Sequence, residues 1–141
     1  MKIPQLSVFL VNEPGRLRAC LDILTEADVN IVTLSLADTQ DFGILRLITP
    51  DAERTKSILE SHGYAIKTTE VVAIEVEDHP GGLSKVLDVV ADAGVNVEYM
   101  YAFSMRSNKR AVMVFRFNDP DSAVAALHAQ GINPLASVAL T

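Results

Sequence analysis

Asn12-Glu13-Pro14-Gly15-Arg16-Leu17 and Asp78-His79-Pro80-Gly81-Gly82-Leu83 are one stretch met twice, 66 residues apart. The alignment continues without a gap. Leu21 falls on Leu87, Ala27 on Ala93, Val29 on Val95, Asn30 on Asn96 and Ile31 on Val97. Self-similarity at a fixed period marks a duplicated structural unit. Farther on, Pro50-Asp51 is set over Pro120-Asp121, after a longer turn in the second copy, and Gly63 over Gly131. The reading is a tandem duplication with units at 1–69 and 70–141.

Working outward, each copy repeats one series of elements. Residues 5–11 and 71–77 are short β-branched runs and predict strands. After Pro-Gly comes a helix: Leu17, Cys20, Leu21 and Leu24 recur at helical spacing, as do Leu83, Val86, Leu87 and Val90. Residues 29–37 and 95–103 predict a second strand. Polar turns follow at 38–41 and 106–109, then a third strand at 43–49 and 111–117. Asp51 and Asp121 are read as opening a second helix, where a carboxylate suits the positive end of the dipole. Gly63 and Gly131 close it, and a last strand follows. The pattern βαββαβ predicts an α+β, ferredoxin-like unit, with an antiparallel sheet and both helices on one face. No Pro/Gly/Ser linker separates the copies, so two directly coupled modules are expected.

The bulk numbers narrow the function classes. The chain has 141 residues, 49% hydrophobic and 21% charged, which is a folded composition. Each half is small for a lone core. Mean hydropathy is +0.24, and the apolar excess suits an oligomer interface, so a homodimer is expected. Net charge is −6, with both halves acidic. Nucleic acid and anionic membrane surfaces call for clustered Lys/Arg, so neither is an expected partner. Cys20 stands alone, which excludes an intrachain disulfide or a CxxC metal site. The first residues, Met1-Lys2-Ile3-Pro4-Gln5, carry no signal-peptide core, and no apolar run approaches the ~20 residues of a membrane span. A cytoplasmic protein is the expectation.

The chemistry concentrates at the turn from the first strand into the first helix. Proline suits a first helical turn, and glycine lets a ligand approach the backbone closely. The opening amides of a helix lack partners and favour a carboxylate. Asn12 and Asp78 offer acceptors for an ammonium group. They are equally good candidates for ordinary helix N-caps. Asn30 and Asn96 sit in helix-to-strand turns, where Asn is common on conformational grounds alone.

Other residues carry less. Tyr99, Tyr101 and Phe103 alternate on one strand face. They could form an oligomer surface, a core, or a base-stacking platform that the acidic charge disfavours. Arg46 and Arg116 are read as matching points of the third strands. Cys20 reads as packing. His62, His79 and His128 show no metal-ligand spacing. No nucleophile–base pair, P-loop or dinucleotide fingerprint appears, so neither a catalytic residue nor a cofactor is expected.

Taken together, Asx-x-Pro-Gly, a helix, then Val-Asn-Ile/Val within a duplicated βαββαβ unit resembles the ACT domain, over nearly the whole chain. The chain is similar to small stand-alone tandem-ACT proteins. The resemblance implies an amino-acid ligand at the interface of two units and a regulated partner enzyme or regulator. It implies ligand-contacting positions at Asn12, Pro14, Gly15 and Asn30 in the first copy, and at Asp78, Pro80, Gly81 and Asn96 in the second. One copy's loop is then expected to face the other copy's second strand. The histidine that serine-binding members carry just before the Asx position is absent; Leu10 and Val76 stand there. Serine is therefore not favoured over apolar or aromatic amino acids. Two other classes compete: an interaction module without a small ligand, and an acylphosphatase-like hydrolase using Arg16 or Arg18. The second lacks that family's glycine-rich loop.

Overall fold

A computed structural model describes residues 2–39, 41–107 and 110–135, with the side chains of 104–107 left aside. The chain divides into two compact units, one of residues 4–69 and one of residues 2–3 with 70–135.

In the 4–69 unit the elements are β1 (Ile3–Val11), α1 (Arg16–Glu26), β2 (Thr33–Asp38), β3 (Phe42–Ile48) and α2 (Ala52–Ser61). β3 pairs antiparallel with both β1 and β2. Strand alternation puts Leu6, Val8, Leu10, Leu45 and Leu47 on one face, and they bury with Cys20, Leu24 and Leu59 of the helices. Both helices therefore cover the same face. In the 70–135 unit the elements are β4 (Ala65–Glu77), α3 (Gly82–Asp92), β5 (Val97–Ser107), β6 (Arg110–Phe117) and α4 (Pro120–Ala129). β6 pairs antiparallel with β4 and β5. Val72, Ile74, Val76, Phe115 and Phe117 bury against Val86, Val90, Ala123 and Leu127 of α3 and α4. This is the expected ferredoxin-like arrangement, built twice. β4 runs unbroken through the join, so the last strand of one copy and the first of the next are one 13-residue strand.

The helix ends explain the glycines. Gly63 (φ 90°) and Gly131 (φ 76°) follow α2 and α4 in left-handed conformation. Tyr64 N donates to Leu59 O and Gly63 N to Glu60 O, with the same pair at Ile132 and Gly131, which is the Schellman closure. α1 and α3 end in the same way, at Asp28 (φ 58°) and Gly94 (φ 74°).

Several sequence expectations change. α4 is capped by Asp119, whose side chain accepts from Ser122 N, and not by Asp121. Asp51 does cap α2, accepting from Arg54 N. From the third strand onward the two copies are therefore offset by 68 (Asp51 to Asp119, Gly63 to Gly131), and the Pro50-Asp51 match to Pro120-Asp121 is a two-residue slip. The ladders agree. Arg46 pairs with Ser7 and Ser35, whereas Arg116 pairs with Tyr99. Tyr101, the counterpart of Ser35, pairs with Val114. Arg46 thus matches Val114, and Arg116 is not its counterpart. β2 also starts at Thr33 and not at residue 29. Of the expected turns, Gln40, Asn108 and Lys109 lie outside the described residues, as does the second copy's last strand beyond Leu135. Leu135 itself bridges to Ala73.

Candidate functional site

Pro-Gly forms a β-turn ahead of each first helix, not the helix's first turn. Arg16 N donates to Glu13 O at 3.3 Å, and Gly15 sits at φ 85°, ψ −8°. Gly82 N donates to His79 O at 3.0 Å, and Gly81 sits at φ 88°, ψ −9°. Proline at the second position and a positive-φ glycine at the third define a type II turn. Gly15 and Gly81 are then the N-caps, with no side-chain cap bond. The capping reading of Asn12 and Asp78 therefore fails. Both side chains are exposed, and among the described residues neither makes a hydrogen bond or ion pair. The Asn12 backbone is tied by its N–H to Asp41 O, 3.1 Å away.

Asn30 and Asn96 lie elsewhere. β1 ends at Val11, which pairs with Phe42 at the start of β3, while Thr33 pairs with Ile48 at its end. Asn12 and Asn30 thus flank opposite ends of the sheet, and Asp78 and Asn96 do the same in the other unit. Within a unit the fold does not bring them together. Asn96 N donates to the Asn118 side chain at 2.9 Å, which is a local structural use.

Each unit has a cavity at the same place, where the outer end of its first strand, the start of its first helix and the glycine after its second helix meet. In the 4–69 unit it measures about 270 Å³ and touches Phe9, Val11, Arg16, Gly63 and Tyr64. In the 70–135 unit it measures about 390 Å³ and touches Glu75, Glu77, Gly82, Gly131 and Ile132. These are counterparts residue by residue. A smaller space of about 80 Å³ beside Asn12, Leu36 and Asp38 is well below the ~300 Å³ of ordinary ligand pockets.

The larger cavity is lined by charge. Arg110 pairs with Glu75 at 3.2 Å. His79 Nε2 meets Glu77, and His79 Nδ1 lies 2.9 Å from Pro80 O. The Pro80 carbonyl, and then Glu77, raise the imidazole's pKa above its ordinary value, and the bond from His79 lowers that of Glu77. Lys85 also lines the cavity, and among the described residues its ammonium has no ion pair. In the other unit Phe9, Val11, Ala19 and Phe42 stand in place of Glu75, Glu77, Lys85 and Arg110. Phe9, Val11 and Phe42 are 40%, 44% and 51% exposed. Of the expected site residues, only Gly81 lines this charged cavity. Sequence reading missed Glu75, Glu77, Lys85 and Arg110. The signal was available for Arg110 only with the 68-residue offset, which sets it over Phe42; the slipped alignment sets Val112 there.

Other features resolve simply. Arg16 pairs with Glu13 at 3.6 Å and Arg18 with Asp22 at 3.9 Å, each along the protein's own surface. Tyr99, Tyr101 and Phe103 are half-buried. Among the described residues no group of His, Cys, Asp and Glu is placed to hold a metal ion. No described helix is long and apolar enough to cross a membrane.

The family model for an ACT domain pair matches residues 1–138. Among solved structures, protein BT0572 from Bacteroides thetaiotaomicron is similar at 36% identity and a TM-score of 0.92, covering 99% of this chain and 96% of that one. The regulatory subunit of aspartate kinase from Thermus thermophilus, in its ligand-free form, shares the fold at 16% identity and a TM-score of 0.64, over 89% of this chain and 91% of that one. Aspartate kinase from Clostridium acetobutylicum shares it at 18% identity and a TM-score of 0.56, over 90% of this chain and 32% of that one. No curated protein matches.

Proposed function

The chain belongs to the ACT family as a pair of ACT domains, and from that premise we propose that it is a non-catalytic regulatory protein that binds an amino acid and passes the signal to a partner enzyme or regulator in the cytoplasm. The observation that carries this reading is the freedom of Asn12 and Asp78. Each stands at the same type II turn, and neither is used for capping. A polar side chain with no partner among the described residues, at the same place in both copies, suits a ligand's ammonium group, and the adjacent helix start suits its carboxylate. Pro14, Gly15, Pro80 and Gly81 shape that turn, and Asn30 and Asn96 complete the set of ligand positions that the family resemblance implies. A ligand acts on a partner only through its preference for one state over another.

A homodimer is part of the proposal. Among the described residues β2 is hydrogen-bonded on one side only, to β3. Leu34 and Leu36 on it are 43% and 51% exposed. An edge strand with exposed leucines favours pairing with a second copy. Sedimentation should show a dimer that Leu36→Glu converts to monomer; a wild-type monomer excludes it.

The test of the sensor reading is a thermal-shift screen of the whole chain against the twenty amino acids. A ligand at about 100 times its Kd adds roughly 2.7 kcal/mol, a shift of several degrees. Loss of the shift in Asn12→Ala or Asp78→Ala supports ligand binding at these turns. No shift with any amino acid overturns the sensor reading and favours an interaction module.

A further inference from the structure

We infer that the two copies have divided their work, and that the charged cavity of the 70–135 unit binds the zwitterion of an α-amino acid with an aliphatic side chain. This rests on the amino-acid-sensing reading above and names both the pocket and the ligand class.

The argument starts from matched positions. Val11 and Phe42 face each other across β1 and β3, and Glu77 and Arg110 face each other at the same point of β4 and β6. Phe9 is replaced by Glu75 and Ala19 by Lys85. Four residues that line this cavity are charged, of both signs, where the other copy has apolar residues, while Arg16, which lines the other copy's cavity, gives way to Gly82. A surface that only needed solubility would have no reason to gather them about a concavity of about 390 Å³, which is in the range of small-molecule sites.

The charges are arranged by role. Arg110 is held by Glu75 and His79 by Glu77. Lys85, on the first turns of α3 where the helix end adds positive potential, makes no close ion pair among the described residues, and its charge acts on Glu77, whose pKa it helps to lower. A carboxylate fits there. Glu77 keeps further acceptor capacity beyond its bond to His79. The end of α4, at Gln130 and Gly131, also lines the cavity and is the negative pole of that helix. An ammonium group fits between them. Val76, Val86, Ile132 and Leu135 give the lining an apolar part, with the polar Asn133 among them. That apolar part can take an aliphatic side chain.

The test uses the full chain, with valine, leucine and isoleucine as probes. Isovalerate and isopentylamine serve as analogues that each lack one charge, and glutamate as a polar control. Expected are a thermal shift and a calorimetric Kd for at least one aliphatic amino acid, with no response to either one-charge analogue or to glutamate at the same concentration. Lys85→Met and Glu77→Gln should each raise that Kd tenfold or more; both residues are exposed, so the fold should survive. Arg18→Ala, on the exposed surface of α1 in the other unit, should leave it unchanged. Binding that is lost in Asn12→Ala or Asp78→Ala but unchanged in Lys85→Met and Glu77→Gln overturns the pocket and leaves the sensor reading standing. Equal binding of the one-charge analogues, or a response to polar amino acids alone, overturns the ligand class. No response to any amino acid overturns this inference together with the sensor reading.

Discussion

Gly82 lies directly beneath the carbonyl of Glu77: a Cβ added to it would come within 1.9 Å of Glu77 O. The helix start and the strand end are therefore pressed together at the Pro-Gly turn of the 70–135 unit. Gly82→Ala must push backbone against backbone, so we expect a loss of about 1–3 kcal/mol, the range of overpacking. Urea denaturation of the two proteins checks it. An unchanged midpoint would mean that the turn yields easily.

Asp28 and Gly94 hold the same left-handed position after α1 and α3, at φ 58° and 74°. A left-handed non-glycine residue costs roughly 1–2 kcal/mol, and glycine gives back about 0.4–1 kcal/mol through the unfolded chain. Asp28→Gly should therefore stabilise the protein by about 0.5 kcal/mol, and Gly94→Ala should destabilise it. Thermal melts of both variants should move in opposite directions.

Asp119 caps α4 through Ser122, and those hydrogen bonds hold its pKa below the ordinary carboxylate value. A depressed folded pKa means that the cap's contribution is complete above the unfolded value of 3.8 and is lost as pH falls through the folded value. Asn at this position caps without titrating. The stability gap between wild type and Asp119→Asn should therefore shift in favour of Asn between pH 6 and pH 3. Asp121→Asn, which touches only the Lys2 ion pair, should show no such cap effect.

Cys20 is fully buried, and burial alone pushes its thiol up to about 11. The neutral thiol is a poor nucleophile. Alkylation by iodoacetamide at pH 8 should be slow in the folded protein and rise sharply across the denaturant transition. Rapid reaction in the native state would contradict the burial. Cys20→Val, which copies Val86 of the other unit, should cost less than about 1.5 kcal/mol.

Leu59 and Leu127 are each wholly buried between helix and sheet. Truncating either to alanine removes both transfer energy and packing, and should cost about 2–5 kcal/mol by chemical denaturation.

Much of this molecule is legible in 141 letters because the relevant forces are local. The period of apolar residues in α1 and α3, the β-branched runs and the closing glycines at 63 and 131 each reflect stereochemistry within a few residues, and the duplication doubles every signal. The Pro-Gly turn was legible too, though only backbone geometry showed it to be a type II turn in which Asn12 and Asp78 do not serve as N-caps. The register of β6 was not legible. A one-residue error flips every side chain to the wrong face and betrays itself, but a two-residue error preserves the inside–outside alternation. Hydrogen-bonded ladders between distant segments decide between such registers, and they place Arg110 opposite Glu77 and Asp119 at the helix start. The charged cavity depends on that choice. Glu75, Glu77, Lys85 and Gly131 come from a strand, a helix and a turn far apart in the chain, and only tertiary packing makes them neighbours of one space.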